Sequence, residues 1–483
     1  MSGAQQLQSR TFAYLLLMLF LVTVPMVNPW VHGDGVGYYA YARAPLIEHN
    51  LDFTHDYQLA NQNFRGLRLD ENGAPRADFR TRTGHLDNHF TVGPAILWSP
   101  FLVIAHLGVL SARTLGSSVP ADGFSAPYRY AMALATSLYG FLGLLFSFLL
   151  TRKFVGALWA FVATVAIWGA SALPVYMYFN PSWSHAHSAF TVALFLWYWE
   201  RTRQQRNSRQ WVTLGIVTAL MLNVYYANLM VVTILPVEAL WQYADILRRK
   251  SKNGALVRLL SQHVLFGAVV VVGLLPTFIS RTIVYGGPFE TGYLSIRDFL
   301  WNSPVFWDVL FSANHGLLSW TPILILSLVG LVFFAGRVPQ VGVPFVVAVV
   351  AFYLFISFYP DWAGISSFGN RFFISLTALF ILGLAVTLES FASLCAEKRT
   401  ATLASAALLG CFVLWNLGMI YQWGTHLIPA RGPISFSQAA YNQFHVVPRQ
   451  IDSQLRSYLF RRKALMQQIE QKDVEQMKNS AQP

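Results

Sequence analysis

Apolar residues run along this chain in blocks of about twenty, separated by short polar connectors. A helix of that length matches the ~30 Å hydrocarbon layer of a bilayer. Such blocks cover residues 11–27, 92–113, 127–150, 154–178, 183–199, 211–224, 227–246, 257–280, 317–336, 341–358, 372–392 and 401–422. The expected fold class is therefore an all-α polytopic membrane protein. The first block follows Arg10 and no small-residue cleavage site comes after it, so it is expected to stay as a helix.

The polar connectors set the topology. Three are strongly basic: TRK at 151–153, RTRQQRNSR at 201–209 and RRKSK at 248–252. The positive-inside rule places all three in the cytoplasm. Twelve crossings starting from a cytoplasmic N-terminus would put them outside, so either one early block does not cross, which is the expectation, or the N-terminus is outside. The weakest is 92–113, interrupted by Pro94, Pro100 and His106, which is expected to lie embedded in the outer interface.

About eleven crossings remain, in a membrane domain over residues 1–423, with a long extracytoplasmic loop over 28–126 that carries interfacial helices. Eleven crossings leave the polar tail, 424–483, outside. Its eight Lys or Arg residues against four acids argue mildly for the other side. Ile451, Leu455, Leu459, Leu465 and Ile469 give the tail an amphipathic helical stripe, expected on a surface or interfacial helix rather than in a catalytic unit. No internal repeat of the kind frequent in secondary transporters is visible.

Composition narrows the function. The chain has 483 residues, 55% hydrophobic and 12% charged, with a net charge of +12. The Lys and Arg residues lie mostly between apolar blocks, as topology determinants and contacts to anionic membrane lipids would, so nucleic acid is not an expected partner. Cys395 and Cys411 suggest no disulfide framework. There is neither a phosphate-cradling loop ending in Lys and Ser or Thr nor a glycine-rich dinucleotide fingerprint, which leaves cytoplasmic nucleotide chemistry unsupported.

Candidate chemistry concentrates at the outer edge of the first helix. The stretch VHGDGVGYYAYAR, Val31 to Arg43, places Asp34 among Gly33, Gly35 and Gly37, where a lipid head group meets water. Two roles are open to Asp34. It can cap a helix beginning at Val36, or it can take a proton from an acceptor hydroxyl while a lipid-linked phosphate leaves. Tyr38 and Tyr39 suit interfacial anchors and sugar contacts.

A departing phosphate needs a cation or hydrogen-bond donors. Arg371 ends the outer loop DWAGISSFGNR, where positive-inside counting does not call for an arginine, and is the leading candidate; His89 is the second. The loop YFNPSWSHAH supplies His185 and His187 as substrate contacts, and no Asp, Glu or Cys nearby completes a metal set. Asn314, His315, Glu290 and Asp361 are further outer-face candidates, Asp361 being the alternative acid.

An acid just after the first helix, a long first outer loop and an embedded apolar segment at its end resemble the GT-C superfamily of membrane glycosyltransferases. NHFTVGPAILWSP (88–100), NPSWSHAHSAF (180–190), VYGGPFETGY (284–293), SANHGLLSWTP (312–322) and DWAGISSFGNRFF (361–373) fit bacterial members, such as aminoarabinose and protein O-mannosyltransferases, in the expected order. The resemblance implies a GT-C-like bundle and transfer of a sugar from a polyprenyl-phosphate donor to an extracytoplasmic acceptor: a lipid, lipopolysaccharide, glycan or protein. It implies Asp34 as base and a bacterial inner-membrane location with the site facing the periplasm.

Some relatives carry a lysine before the prolines of the embedded segment, where this chain has Asn88 and His89. No cofactor is expected, with a divalent metal kept as an open alternative; the lack of a second acid in YFNPSWSHAH argues against the metal-dependent oligosaccharyltransferase type. The rival readings are a lipid-linked oligosaccharide flippase or transporter and a non-catalytic membrane scaffold.

Overall fold

The computed structural model describes residues 3–60, 68–70, 72–248 and 253–480. Their regular structure is helical, with two isolated bridges, Leu69–Pro75 and Arg80–Leu86, in the polar stretch before the second apolar block. The principal helices are α1 (Gly3–Thr23), α2 (Asp34–Arg43), α3 (Gly93–Thr114), α4 (Ala126–Thr151), α5 (Ala157–Gly169), α6 (His185–Thr202), α7 (Ser208–Val224) and α8 (Ile234–Arg248). They continue with α9 (Asn253–Gly273), α10 (Leu275–Tyr285), α11 (Leu324–Arg337), α12 (Pro339–Phe358), α13 (Thr377–Leu394), α14 (Lys398–Gly424), α15 (Val447–Phe460) and α16 (Arg462–Ser480).

Eight helices among the described residues are long and apolar enough to cross a membrane, against the eleven crossings expected. Blocks 154–178, 183–199, 211–224 and 317–336 give no such helix, while α3, expected not to cross, does; helix breakers interrupt the first and last of the four. The block 154–178 stops as α5 at Gly169, and Pro174 opens a separate π-turn, Val175–Phe179. The block 257–280 also divides, into α9, which remains long enough to cross, and α10, with Pro276 in the first turn of the second helix. Thr321 and Pro322 separate a single turn, Leu317–Trp320, from α11. Proline lacks the amide proton and pushes its predecessor out of helical geometry, so apolarity alone does not make these blocks continuous.

The core is built around α13. Its residues Thr377 to Val386 are all buried, and it packs on α11, α4 and α5. The α11–α13 contact is a close backbone approach: a Cβ on Gly330 would sit 1.9 Å from the Gly383 carbonyl oxygen, and one on Gly383 would sit 2.0 Å from that of Ser327. Small residues permit such approach between apolar helices.

The two ends of the bundle differ in chemistry. At one end Lys153 pairs with Glu200, Arg206 pairs with Glu238 at 2.9 Å, and Glu389 accepts from the Gly156 amide at 2.7 Å. The basic connectors 151–153 and 201–209 thus gather together; residues 249–252 of the third lie outside the described residues. Arg371 precedes Glu389 by eighteen residues of near-continuous helix. At 1.5 Å per residue it lies about 27 Å away, at the opposite end.

That opposite end holds α2 and its surroundings. Helix α3 pairs antiparallel with the first half of α4: Trp98 Nε1 donates to Thr136 Oγ1 at 2.8 Å, and His106 Nδ1 meets the Tyr128 hydroxyl at 2.7 Å. Both of its flanking connectors touch α2. Asn88 donates to the Gly37 carbonyl at 2.9 Å, and on the far side Tyr39 donates to the Gly123 carbonyl at 2.5 Å. Although α3 is long and apolar enough to span, both of its ends are therefore tied to a helix of ten residues. The loops before and after it share one end of the bundle.

Candidate functional site

The chain leaves α1 through a short turn, Val24–Met26, and is fastened by the Asn28 amide donating to the Tyr178 carbonyl at 2.7 Å. Gly33 then adopts a left-handed φ of 61°, and a Cβ there would stand 2.9 Å from the Trp183 ring. Glycine alone meets both constraints comfortably. As a result α2 begins at Asp34 rather than Val36 and Gly33 holds the capping position, which corrects the capping role open to Asp34 in the sequence. The Asp34 side chain turns to Arg371 instead, with Oδ2 lying 2.8 Å from Nη1.

Arg371 opens a 3-10 turn, Arg371–Leu376, that leads into α13. Its guanidinium stacks on Trp183, 4.4 Å from the ring centroid. Trp183 Nε1 donates to the His32 carbonyl at 3.0 Å, so one indole touches both the turn that carries Asp34 and the cation paired with it. Gly364, at φ 72°, lets the 361–366 loop close against the guanidinium; a Cβ there would lie 3.1 Å from Arg371 Nε.

Of four buried arginines at this end, Arg68 is held by Asp87, and the other three separate into structural and available groups. Arg281 donates to the carbonyls of Asn88, His89, Phe90 and Thr291 and to the Tyr226 hydroxyl, at 2.7–3.4 Å. Arg43 is engaged by the Asp122 carbonyl, Glu48 and Asp56. Arg371 has its contact with Asp34, while its Nε is buried with no hydrogen-bond acceptor among the described residues. A guanidinium carries five donors, so Arg371 keeps capacity for a further anion.

Asp34 and Arg371 both line a cavity of about 910 Å³. Its polar side includes His32, Asn180 and Trp183, and its apolar side includes Leu417 and Ile420 of α14. The rest of the wall comes from the C-terminal helices: Ile451 and Leu455 of α15 and Leu465 and Ile469 of α16 face the cavity. The stripe expected on a surface or interfacial helix is partly exposed and also borders this cavity. The two helices are fastened beside the site because Arg462 donates to the carbonyls of Val27 and Pro25, and Tyr458 donates to the Met26 carbonyl at 2.8 Å.

The remaining expected residues do not line the cavity. The Tyr38 hydroxyl accepts from Ser184 Oγ at 2.9 Å, and burial together with the nearby Asp34 pushes its pKa above the ordinary phenol value. Tyr39 is core, wedged against Trp98 and Phe124. His89 packs on Phe90 and Tyr293, with Nδ1 3.6 Å from Asp87 Oδ2. Burial would raise Asp87, but hydrogen bonds from His89 and Tyr285 and the charge of Arg68 bring it down to about 2.

His185 and His187 stand about 200° apart on the helix, and they diverge accordingly. His185 faces Tyr176 and Trp183, and His187 faces Trp98 and Tyr139, so they do not form a joint ligand pair. His315, at φ 61°, lies 2.8 Å from the Ala363 carbonyl, and burial lowers its pKa to about 4. The Asn314 amide is held by Ser312 at 3.0 Å. Asp361 and Glu290 are exposed. Among the described residues no group of three or more His, Cys, Asp or Glu side chains is arranged to hold a metal.

No protein-family model matches the chain, and no curated protein matches it. Among solved structures it is similar to ArnT from Cupriavidus metallidurans in the apo state, at 14% identity and a TM-score of 0.47. The match covers 87% of this chain and 72% of that one.

Proposed function

We propose that this chain is a membrane glycosyltransferase that moves a sugar from a polyprenyl-phosphate-linked donor to an acceptor outside the cytoplasm. The observation that carries the reading is the Asp34–Arg371 contact at 2.8 Å on the wall of the cavity, with a spare buried donor on Arg371. The acceptor hydroxyl attacks the anomeric carbon and loses its proton to Asp34. The bond from that carbon to the phosphate oxygen breaks, and the electron pair leaves on the phosphate, which Arg371 stabilises. Direct displacement inverts the anomeric centre.

The pairing also supplies an order of events. Donor phosphate drawing on Arg371 weakens its hold on Asp34 and leaves the carboxylate to the acceptor. Positive-inside counting puts the basic end of the bundle in the cytoplasm, so the site faces the periplasm of a bacterial inner membrane. The test is turnover by the purified full chain in lipid against a panel of polyprenyl-phosphate sugars, with Asp34→Asn alongside. Sugar transfer by the wild type and its loss in the variant are expected. Full activity in the variant would remove Asp34 as base, and transport of intact donor without transfer would replace the enzyme by a flippase.

A further inference from the structure

The cavity has two unlike halves, and the C-terminal helices build one of them. Its ionic part is made by Asp34 and Arg371, with Trp183 packed on the guanidinium. Its far wall is mostly apolar, with Leu417 and Ile420 on α14, Ile451 and Leu455 on α15, and Leu465 and Ile469 on α16, interrupted by Gln454, Gln468 and Lys472. Ile451 and Leu455 are 45% and 43% exposed, a large apolar surface left facing the open cavity. A space with a cation having unfilled donors at one end and aliphatic walls along the other fits an amphiphile with an anionic head.

From this we infer that the C-terminal helices α15 and α16 form the binding groove for the prenyl chain of the lipid phosphate, in line with a head group at Arg371. The inference rests on the proposed donor class and adds where its chain lies. The occupant is the donor chain rather than a bilayer lipid because the groove is continuous with the ionic pair in one cavity. Arg462, stacked 4.4 Å over Tyr458, ties the groove to the carbonyls of Pro25 and Val27, a few residues before Asp34. The chain-binding wall and the base-bearing turn are thereby held in one register. A groove that contacts the prenyl chain along its length should discriminate by chain length.

The test is equilibrium binding of undecaprenyl phosphate and geranyl phosphate to the full chain in detergent. Wild type, Leu455→Asp, Leu455→Trp and, as a control on the same helix but away from the cavity, Leu459→Asp are compared. Thermal unfolding of each confirms folding. The wild type is expected to prefer the long chain, and both Leu455 variants to shrink that preference by about tenfold, ~1.4 kcal/mol. Leu455→Trp fills the groove without adding charge, so its loss of preference reports on space rather than on misfolding. Leu459→Asp is expected to keep the wild-type preference.

An unchanged preference in the Leu455 variants, equal losses for both phosphates, or competition by phosphatidylglycerol as strong as by undecaprenyl phosphate would overturn the inference. Binding with the expected chain dependence but no sugar transfer would leave the groove standing and remove the transferase reading. Transfer that is insensitive to the Leu455 variants would do the reverse.

Discussion

Removing either member of the Asp34–Arg371 pair should produce different losses in stability and in turnover, and a double-mutant cycle separates them. At 2.8 Å and an effective dielectric constant of about 20, the Coulomb attraction has a ceiling of about 6 kcal/mol. Desolvation takes back much of that. The Arg371 side chain is 11% exposed and that of Asp34 is 28% exposed, so one partner is far more buried than the other. The expected coupling in stability is therefore about 1–2 kcal/mol.

Turnover should respond more steeply. Arg371→Gln removes the charge that meets the leaving phosphate, an effect of about 100- to 1,000-fold in kcat. Asp34→Asn removes the base, an effect of about 100- to 10,000-fold. Because both act on one transfer step, the double variant should lose less than the product of the two. Thermal unfolding of the four proteins in lipid gives the stability cycle, and turnover at saturating donor gives the kinetic one. A stability coupling below about 0.3 kcal/mol, or an Arg371→Gln enzyme with wild-type kcat, would refute the pairing or its role.

Other consequences follow from the same geometry. Asp56 is buried beside Arg43, and burial raises its pKa to about 7. An acid whose folded pKa lies above its unfolded one loses stability as pH rises, here between about 4 and 7. Hydrogen exchange over residues 44–60 should therefore speed up across that window beyond its intrinsic trend, and Asp56→Asn should flatten the excess. Gly33→Ala should cost about 1–3 kcal/mol from its backbone at φ 61° and ψ −139°, and should lower turnover because Trp183 must shift from 2.9 Å. Arg281→Gln should destabilise by about 3 kcal/mol through stranded carbonyls, with donor KM unchanged where the fold survives. With Cys395 and Cys411 replaced by serine, a cysteine at Ala74 should react with an impermeant maleimide on intact cells and one at Gln205 should not; the reverse would invert the topology.

Asp34 and Arg371 were legible in sequence because position alone marked them. One is an acid just past a membrane helix, and the other a cation where positive-inside counting expects none. Their distance from each other was not legible, since 337 residues separate them along the chain. Trp183 sits within YFNPSWSHAH, yet its contact with the His32 carbonyl depends on the backbone turn at Gly33, which composition does not disclose. The stripe on α15 and α16 was visible as periodicity. Periodicity shows that a face seeks apolar surroundings but not which ones, so its place on the cavity wall emerged only from the Arg462 and Tyr458 contacts. The breaks at Pro174, Pro276 and Pro322 were written in the chain, but hydropathy over a twenty-residue window averages them away.

The fastening of Arg462 to Pro25 and Val27 joins residues that leave the ribosome at very different times. Asp34 and the turn that presents it are made early, whereas α15 and α16 arrive only after the membrane helices through α14 have been synthesised. Until then the part of the cavity wall that α15 and α16 supply is missing, and of these helices only α14 lines its apolar side. A chain clipped at the Arg461–Arg462 junction would keep its acid and arginine but lose α16, and with it the Arg462 fastening and the share of the wall given by Leu465 and Ile469.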